Sequence, residues 1–307
     1  MSTWSGILST AGITGPTLRA DYTRAREQVA RYKRDAYLAV RLLLPRPLVP
    51  HVLVATAFMH HTDDLLDSGV PAERAGRYRA WEREVRDALA GGAAVTPLVR
   101  ALVHSAEAHP RLGRRVEEFL RTAVTDLDFA GFATEADYQR YVDAYSLPAL
   151  MVVAGLLAPS GSGPGAEAEY RAACRVFIDG SQRLDFVNDV AEDLAVDRFT
   201  FPVDLLTRYG VSRGDLETRR DTAEVRALLG HLLDLARESL VDAQDLVRLT
   251  PAANRPLVRA LVGLDLLTAD RAAATGPGLL QGSARPPVPA ALALLLREYG
   301  AARRERA

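Results

Sequence analysis

The sequence predicts an all-α fold, and three observations support that prediction. Apolar residues recur at three- and four-residue spacing over most of the chain, which is the period of an amphipathic helix. Strand signals are scarce, since only residues 197–202 alternate and that stretch ends in Pro202. The chain has 307 residues, of which 48% are hydrophobic and 25% charged, as is typical of a globular protein with a sizeable core.

Periodicity and helix-ending residues define the predicted helices. Pro45 ends the first helix and Gly69 the second, and Pro71 lies in the first turn of the third, where proline is favoured. The predicted helices cover residues 18–44, 47–68, 72–89, 97–109, 112–129, 135–157, 166–194, 223–249, 256–274 and 287–299. The charged tail after residue 299 is expected to fray.

Two Gly/Pro-rich loops, at residues 159–165 and 276–289, interrupt the helical pattern. The first loop separates two acidic clusters and would divide the chain into halves. Because each half carries one cluster, a shared site requires the halves to pack together. The sequence therefore predicts one all-helical domain over residues 1–307.

Composition excludes several classes of function. A formal net charge of -1 gives no electrostatic reason to expect a nucleic-acid or anionic-membrane partner. Cys174 is the single cysteine, so an intramolecular disulfide is impossible and a reducing, cytoplasmic location is expected. No signal peptide and no uncharged apolar stretch of about 18 residues is evident. Peripheral membrane contact remains open, and no pattern indicates the oligomeric state.

The acidic clusters are the candidate functional sites. Asp63 and Asp67 share a helix face, from which Asp64 turns about 100° away. The second cluster places Gln182, Asp185, Asp189, Glu192 and Asp193 at helical spacing. Two such faces opposed across a cavity would hold divalent cations, and the cations would hold a diphosphate. The alternatives are a solvated acidic helix end or a structural ion-pair network with Arg183 and Arg198.

These segments resemble two signatures of the squalene and phytoene synthase family. Residues 182–193, followed by 197–202, are similar to the pattern Q-x-x-N-x-x-R-D-x-x-E-D and then G-R-x-Y-L-P. Residues 63–67 resemble its D-D-x-x-D motif, residues 37–45 its N-terminal aromatic-to-L-P segment, and residues 141–145 its mid-chain tyrosine motif. The resemblance covers roughly residues 20–275 in the family's order and spacing.

The resemblance implies an isoprenoid-synthase-type helical bundle around a central apolar cavity. It implies Mg²⁺ as cofactor and an allylic prenyl diphosphate as substrate. The implied metal ligands, which are also the candidate catalytic residues, are Asp63, Asp67, Asp185, Asp189 and Asp193. The candidate substrate-binding residues are Arg34, Tyr37, His60, Tyr141, Tyr145, Gln182, Asn188 and Arg198. His61 is a further candidate proton acceptor or phosphate donor.

Departures from the family pattern suggest one intact diphosphate site and a degraded second one. His60 and Asn188 stand where the family has arginine, and Asp185 stands where it has asparagine; Lys33 and Arg34 would restore some phosphate contact. The leading hypothesis is therefore transfer of a prenyl group to a small aromatic, carbazole-like acceptor in secondary metabolism. Asp185 would then be a metal ligand or orient the acceptor. The alternatives are head-to-head condensation of two prenyl diphosphates, a terpene-cyclase-like reaction and a non-catalytic assembly factor.

Overall fold

The computed structural model describes residues 3–127, 129–161 and 163–305. Within these ranges the chain is helical and has no β-strand, which confirms the predicted all-α class. The α-helices are α1 Trp4–Thr10, α2 Pro16–Tyr32, α3 Arg34–Leu43, α4 Val49–Asp67, α5 Pro71–Leu89, α6 Pro97–Ala108, α7 Pro110–Thr122, α8 Glu135–Tyr141, α9 Leu147–Leu157, α10 Pro164–Asn188, α11 Val190–Ala195, α12 Val203–Tyr209, α13 Arg213–Glu217, α14 Ala223–Asp242, α15 Gln244–Leu249, α16 Arg255–Thr275 and α17 Val288–Arg304. A 3₁₀ segment, Ala123–Asp126, follows α7, and a π-helical turn, Val142–Ser146, joins α8 to α9.

Helix starts follow local chemistry. The side chain of Thr96 accepts a hydrogen bond from the backbone N–H of Val99, and Pro97 then opens α6 without an unpaired N–H. Thr222 caps α14 in the same way. α12 ends at Gly210, whose φ of 65° is in the left-handed region that glycine adopts without strain. Local signals therefore set these boundaries before tertiary packing acts.

The core is centred on α4, which contacts α2, α3, α5, α6 and α9. Its first half is buried on almost every side, whereas Asp63 is half-buried and Asp67 is exposed. An apolar helix must be enclosed by its neighbours, so its polar end projects from the interior towards a solvent-filled space. The first acidic cluster therefore lies at the more exposed end of a buried helix, as predicted.

A second packing axis joins α10 to α14. A Cβ added at Gly180 would lie 2.8 Å from the backbone oxygen of Ala236 and 3.0 Å from the backbone nitrogen of Leu240. Only glycine permits this separation. The close approach fixes the helix that carries Gln182 and Asp185.

Several predicted boundaries are wrong. The helix predicted over 18–44 breaks at Lys33, whose φ of -136° and ψ of 76° are not helical, so α2 and α3 are separate. The helix predicted over 166–194 likewise breaks at Asp189, and the one over 112–129 gives way to the 3₁₀ segment. The short helices α1, α12 and α13 were not predicted.

The end of the described chain also differs from its prediction. The tail expected to fray after residue 299 is helical to Arg304, because Glu298 is 2% exposed and bonds to the Nε of Arg259 at 2.7 Å. Ser162, in the first predicted loop, lies outside the described residues. Residues 306–307 of the tail lie outside them as well. One continuous helical stretch, Glu135–Leu157, is apolar and long enough to cross a membrane, and 61% of its most apolar window is buried inside the fold, as in a core helix.

Candidate active site

A cleft of about 590 Å³ lies where the ends of the two acidic segments meet. Asp67 enters it from the end of α4, and Asp193 enters it from α11. The lining residues are Asp67, Arg74, Asp126, Leu127, Phe129, Ala130, Gly131, Asp193, Val196, Asp197, Arg198, Phe199 and Arg213. The fold therefore brings the two clusters, more than a hundred residues apart in sequence, to one concave surface.

Arg198 connects the two segments directly. Its backbone N–H donates to the carbonyl oxygen of Asp193 at 2.9 Å, and its Nη1 donates to Asp67 Oδ1 at 2.9 Å. Burial opposes the charged form of Arg198, but the neighbouring carboxylates of Asp126 and Asp67 outweigh burial and raise its pKa. Arg198 thus partly compensates the negative charge of the cleft.

In the first segment, Asp63 points towards the helical stretch that follows α8. Tyr145 donates a short hydrogen bond from its hydroxyl to Asp63 Oδ1. Burial raises the pKa of Asp63, and the bond from Tyr145 partly offsets that rise. The neighbouring Asp64 is exposed and accepts a bond from Ser68 at 2.9 Å, outside the cleft lining. The predicted division of the motif into an inward and an outward face is therefore present.

In the second segment, the acidic residues are held by hydroxyl groups. Ser283 donates to Asp189 Oδ1 at 3.0 Å and lies 3.1 Å from Glu192 Oε1, and Thr200 lies 3.4 Å from Asp193 Oδ2. Burial raises the pKa of both Asp189 and Asp193. These carboxylates are partly desolvated and would be stabilised by a cation.

Asp185 on α10 and Asp265 on α16 form a further pair of carboxylates, close enough for the charge of Asp265 to act on Asp185. Asp185 is exposed to solvent and Asp265 is half-buried. Desolvation by the surrounding protein, with the charge of Asp265, raises the pKa of Asp185 to about 7, and desolvation raises that of Asp265 to about 6. Both carboxyl groups therefore favour the protonated form more than a free aspartate does.

Lys33, the single lysine of the chain, acts on these carboxylates from the break between α2 and α3. Its charge lowers the pKa values of Asp63, Asp185 and Asp189 against the effect of burial. Burial and Lys33 together lower the pKa of His60 to about 4, so His60 is neutral at neutral pH. One ammonium group therefore acts on acidic residues of α4, of α10 and of the junction between α10 and α11.

Aromatic rings form one wall beside the carboxylates. The rings of Tyr141 and Tyr145 lie 5.2 Å apart, and Phe129, Phe132 and Phe186 pack within 6.1 Å of Tyr141. The π-helical turn that follows Tyr141 and contains Tyr145 widens the helix at this point, as π turns frequently do near functional sites. This wall provides aromatic faces that would stabilise a carbocation.

Other predicted site residues make structural contacts. Asn188 holds the loop after α16 through two hydrogen bonds. Its Nδ2 donates to the Ala284 oxygen at 3.1 Å, and its Oδ1 accepts from the Ala284 nitrogen at 2.8 Å. Gln182 accepts a bond from Ser146 at 2.9 Å. Tyr37 accepts one from Arg41 at 3.0 Å, and Arg34 is exposed at the start of α3.

Two further candidates lie away from the carboxylates. His61 packs edge-on against Trp81 at 4.5 Å and lines a separate groove of about 540 Å³ on the opposite side of α4. Arg183, a candidate partner for the second cluster, instead bonds to both carboxylate oxygens of Glu135 at 2.5 and 3.0 Å. Arg183 therefore does not take part in the ion-pair network that was the alternative interpretation of the second cluster.

Sequence analysis missed Asp126, which lies in the cleft, and Ser283, which bonds to Asp189 from the loop before α17. Asp126 is followed by Asp128 but lies away from both acidic motifs, and Ser283 is a serine in a Gly/Pro-rich loop. No spacing pattern therefore marked either residue.

No three His, Cys, Asp or Glu side chains converge as a ready metal site within residues 3–127, 129–161 and 163–305. Mg²⁺ commonly uses one or two carboxylates, several waters and substrate phosphates rather than a complete protein cage. The donor set fits that requirement, because Asp63, Asp189 and Asp193 are partly desolvated carboxylates that a cation would stabilise.

Comparison with known proteins identifies relatives of this arrangement. A family model described as squalene/phytoene synthase matches residues 29–292. The phytoene synthase of Thermus thermophilus is 39% identical over 114 residues, a match that spans 37% of this chain and 37% of that relative.

Two solved structures share the fold over most of their length. A dehydrosqualene synthase superposes with a TM-score of 0.80 at 18% identity, covering 92% of this chain and 96% of that one. Squalene synthase HpnC from Alicyclobacillus acidocaldarius superposes with a TM-score of 0.73 at 24% identity, covering 89% and 99%. At these identities the structural likeness establishes the all-α isoprenoid-synthase fold.

Proposed function

This chain belongs to the squalene/phytoene synthase family, and from that membership we propose that it joins two allylic prenyl diphosphates head to head. One observation carries the proposal: Arg198 is bonded to both acidic segments, so Asp67 and Asp193 face a single cleft. Relatives named as phytoene, dehydrosqualene and squalene synthases support this reaction type.

Mg²⁺ is the proposed cofactor, and its ligands would be Asp63, Asp67, Asp189 and Asp193. When bound, the ions would neutralise the negative charge that develops on a leaving diphosphate. Tyr145 orients Asp63, and Ser283 orients Asp189, so both carboxylates are held by neighbouring hydroxyl groups. These contacts fix the carboxylate positions before substrate binds.

The reaction follows from what the surrounding residues provide. The bond between the allylic C1 carbon and the diphosphate oxygen breaks, and its electron pair leaves with the diphosphate. The aromatic wall around Tyr141 stabilises the allylic cation and excludes water from it. The double bond of the second substrate then supplies the electrons of the new carbon–carbon bond, and loss of a proton to a base gives a product that still carries the second diphosphate. The C–O bond to that diphosphate breaks next, its electron pair leaves with the diphosphate, and rearrangement of the resulting cation with loss of a second proton gives the hydrocarbon.

Transfer to an acceptor without a diphosphate is the second candidate. The matched family and relatives do not support the aromatic acceptor that the sequence analysis favoured. One observation favours it: Asp185 and Asp265 lie close together, and their two carboxylates would repel a second diphosphate bound beside them. The charge of Lys33 acts on both carboxylates and would offset that repulsion, so head-to-head condensation stays the main proposal.

Product analysis distinguishes the two candidates. The purified protein is incubated with geranyl, farnesyl or geranylgeranyl diphosphate and Mg²⁺, with and without carbazole as acceptor. We expect a hydrocarbon of twice the substrate's carbon number from diphosphate alone. A prenylated acceptor with no such hydrocarbon would replace the main proposal by the second candidate, and the absence of turnover with every donor would contradict both.

A further inference from the structure

The cleft contains a buried carboxylate that belongs to neither acidic segment. Asp126 is 5% exposed, and its Oδ1 accepts a bond from the Tyr141 hydroxyl at 2.7 Å and one from Arg198 Nη2 at 3.4 Å. Its Oδ2 is buried without a hydrogen-bond partner among the described residues. A half-satisfied buried carboxylate is costly, and a neutral side chain would cost less there, so fold stability alone does not account for it.

Asp126 fixes one edge of the Arg198 guanidinium. The opposite edge bonds to Asp67 at 2.9 Å, and the guanidinium carbon lies 4.8 Å from the centre of the Phe129 ring. An arginine has five N–H donors, and these two bonds engage two of them. Arg198 is therefore held in one orientation at the cleft while retaining donors for a ligand.

A second arginine reaches the same cleft from α5. Arg74 lines the cleft, and its Nε is buried without a hydrogen-bond partner among the described residues. A buried guanidinium donor requires an acceptor, because a lost bond to a charged group is expensive. An unsatisfied cationic donor in a cleft that also holds Arg198 indicates an anionic ligand with several oxygens.

On the basis of the proposed function, we propose that Arg74 and Arg198 form a paired guanidinium site for one diphosphate, with Asp126 as the positioning residue for Arg198. Guanidinium groups suit this ligand because their planar donors match two phosphate oxygens at once. Arg74 would bind phosphate directly, whereas Asp126 would act through Arg198.

Calorimetric titration with inorganic pyrophosphate and Mg²⁺ tests the inference without requiring turnover. Arg74→Gln and Asp126→Asn should each weaken binding by about tenfold, the cost of one charge-assisted hydrogen bond. Asp126→Asn should cause no further loss in an Arg198→Gln background, because its effect passes through Arg198. Arg198→Lys keeps the charge but cannot span both carboxylates, so it should bind as weakly as Arg198→Gln.

Matched controls separate a specific role from loss of structure. Arg79→Gln changes an exposed arginine on the same helix, and Asp21→Asn breaks another buried carboxylate–arginine pair, to Arg100 at 2.8 Å. Both should bind pyrophosphate as the wild type does. The inference would be overturned, and the proposed function left standing, by wild-type affinity in Arg74→Gln or in Arg198→Lys. Full additivity of Asp126→Asn with Arg198→Gln would have the same consequence. Absence of pyrophosphate binding by the wild type would also overturn the proposed function.

Discussion

Asp185 is charged at high pH, but the protein around it and the charge of Asp265 disfavour that charge. Its pKa is raised to about 7 from 3.8. A carboxyl group with a raised folded-state pKa retains its proton longer in the folded chain than in the unfolded chain. Its contribution to stability is therefore present at acidic pH and lost as the pH rises from about 4 to about 7.

Asp185→Asn should remove this pH-dependent loss. In metal-free protein, the variant should gain stability relative to the wild type as the pH rises through that window. The gain should be on the order of 1 kcal/mol at pH 8, because exposure of Asp185 to solvent screens much of the effect. Urea unfolding at several pH values measures the difference. Asp242→Asn, exposed at the end of α14, is the control and should follow the wild type throughout. A constant offset between Asp185→Asn and the wild type would contradict the assignment.

Lys33 offsets part of the negative charge of Asp63, Asp185 and Asp189. Because it is the single lysine, an amine-reactive reagent modifies only Lys33 and the N-terminus. Modification should weaken pyrophosphate binding several-fold, and bound pyrophosphate with Mg²⁺ should protect Lys33 in peptide mass spectra. Lys33→Arg should keep binding and resist the reagent. Equal labelling with and without pyrophosphate would place Lys33 outside the ligand site.

Among the helices, α4 was predictable and α2–α3 was not. The apolar run of α4 leading into Asp63 and Asp67 predicts a buried helix with an acidic end, and the structure has that arrangement. No glycine or proline marks the break at Lys33. The break depends instead on how α3 packs against α4, α16 and α17, which the sequence pattern does not show. Sequence periodicity reports which face of a helix is buried, whereas breaks of this kind depend on tertiary contacts.

The packing of α10 on α14 gives a prediction for that pair of helices. Gly180→Ala should destabilise the protein by about 1–3 kcal/mol, because its Cβ would lie 2.8 Å from a backbone oxygen that cannot move freely. Gly230→Ala, on α14 with nothing within 4 Å of its Cβ, should be neutral or stabilising by up to about 1 kcal/mol. Thermal or urea unfolding measures both. Equal effects of the two substitutions would contradict the close approach.

In the whole molecule, function depends on joining two distant parts of the chain. The sequence predicted both acidic segments, their shared site and, as a candidate site residue, Arg198, which links them. It did not predict Asp126 and Ser283, because neither lies in a recognisable motif. The cleft is assembled from α4, α5, α11, α13 and the loops after α7 and α11. Single-sequence patterns identified the helical carboxylates, and the fold supplied their partners.

Loss of either segment should therefore remove activity to a similar extent. Asp63→Asn and Asp189→Asn should each lower turnover of prenyl diphosphate by at least about 100-fold, the usual cost of removing an electrostatic stabiliser. Asp64→Asn, in the same motif but on an exposed face where it accepts a bond from Ser68, should retain most turnover. Steady-state kinetics at saturating Mg²⁺ measures all three. A strong loss in Asp64→Asn with little loss in Asp189→Asn would contradict the shared site.

The central claim is that both acidic segments hold one cluster of divalent cations around substrate diphosphate. Anomalous diffraction from crystals grown with Mn²⁺ and a non-hydrolysable prenyl thiodiphosphate tests it most directly. We predict manganese peaks at Asp63 and Asp67 and at Asp189 and Asp193, joined through diphosphate oxygens. Diphosphate bound at a single segment, with no metal at the other, would contradict the claim.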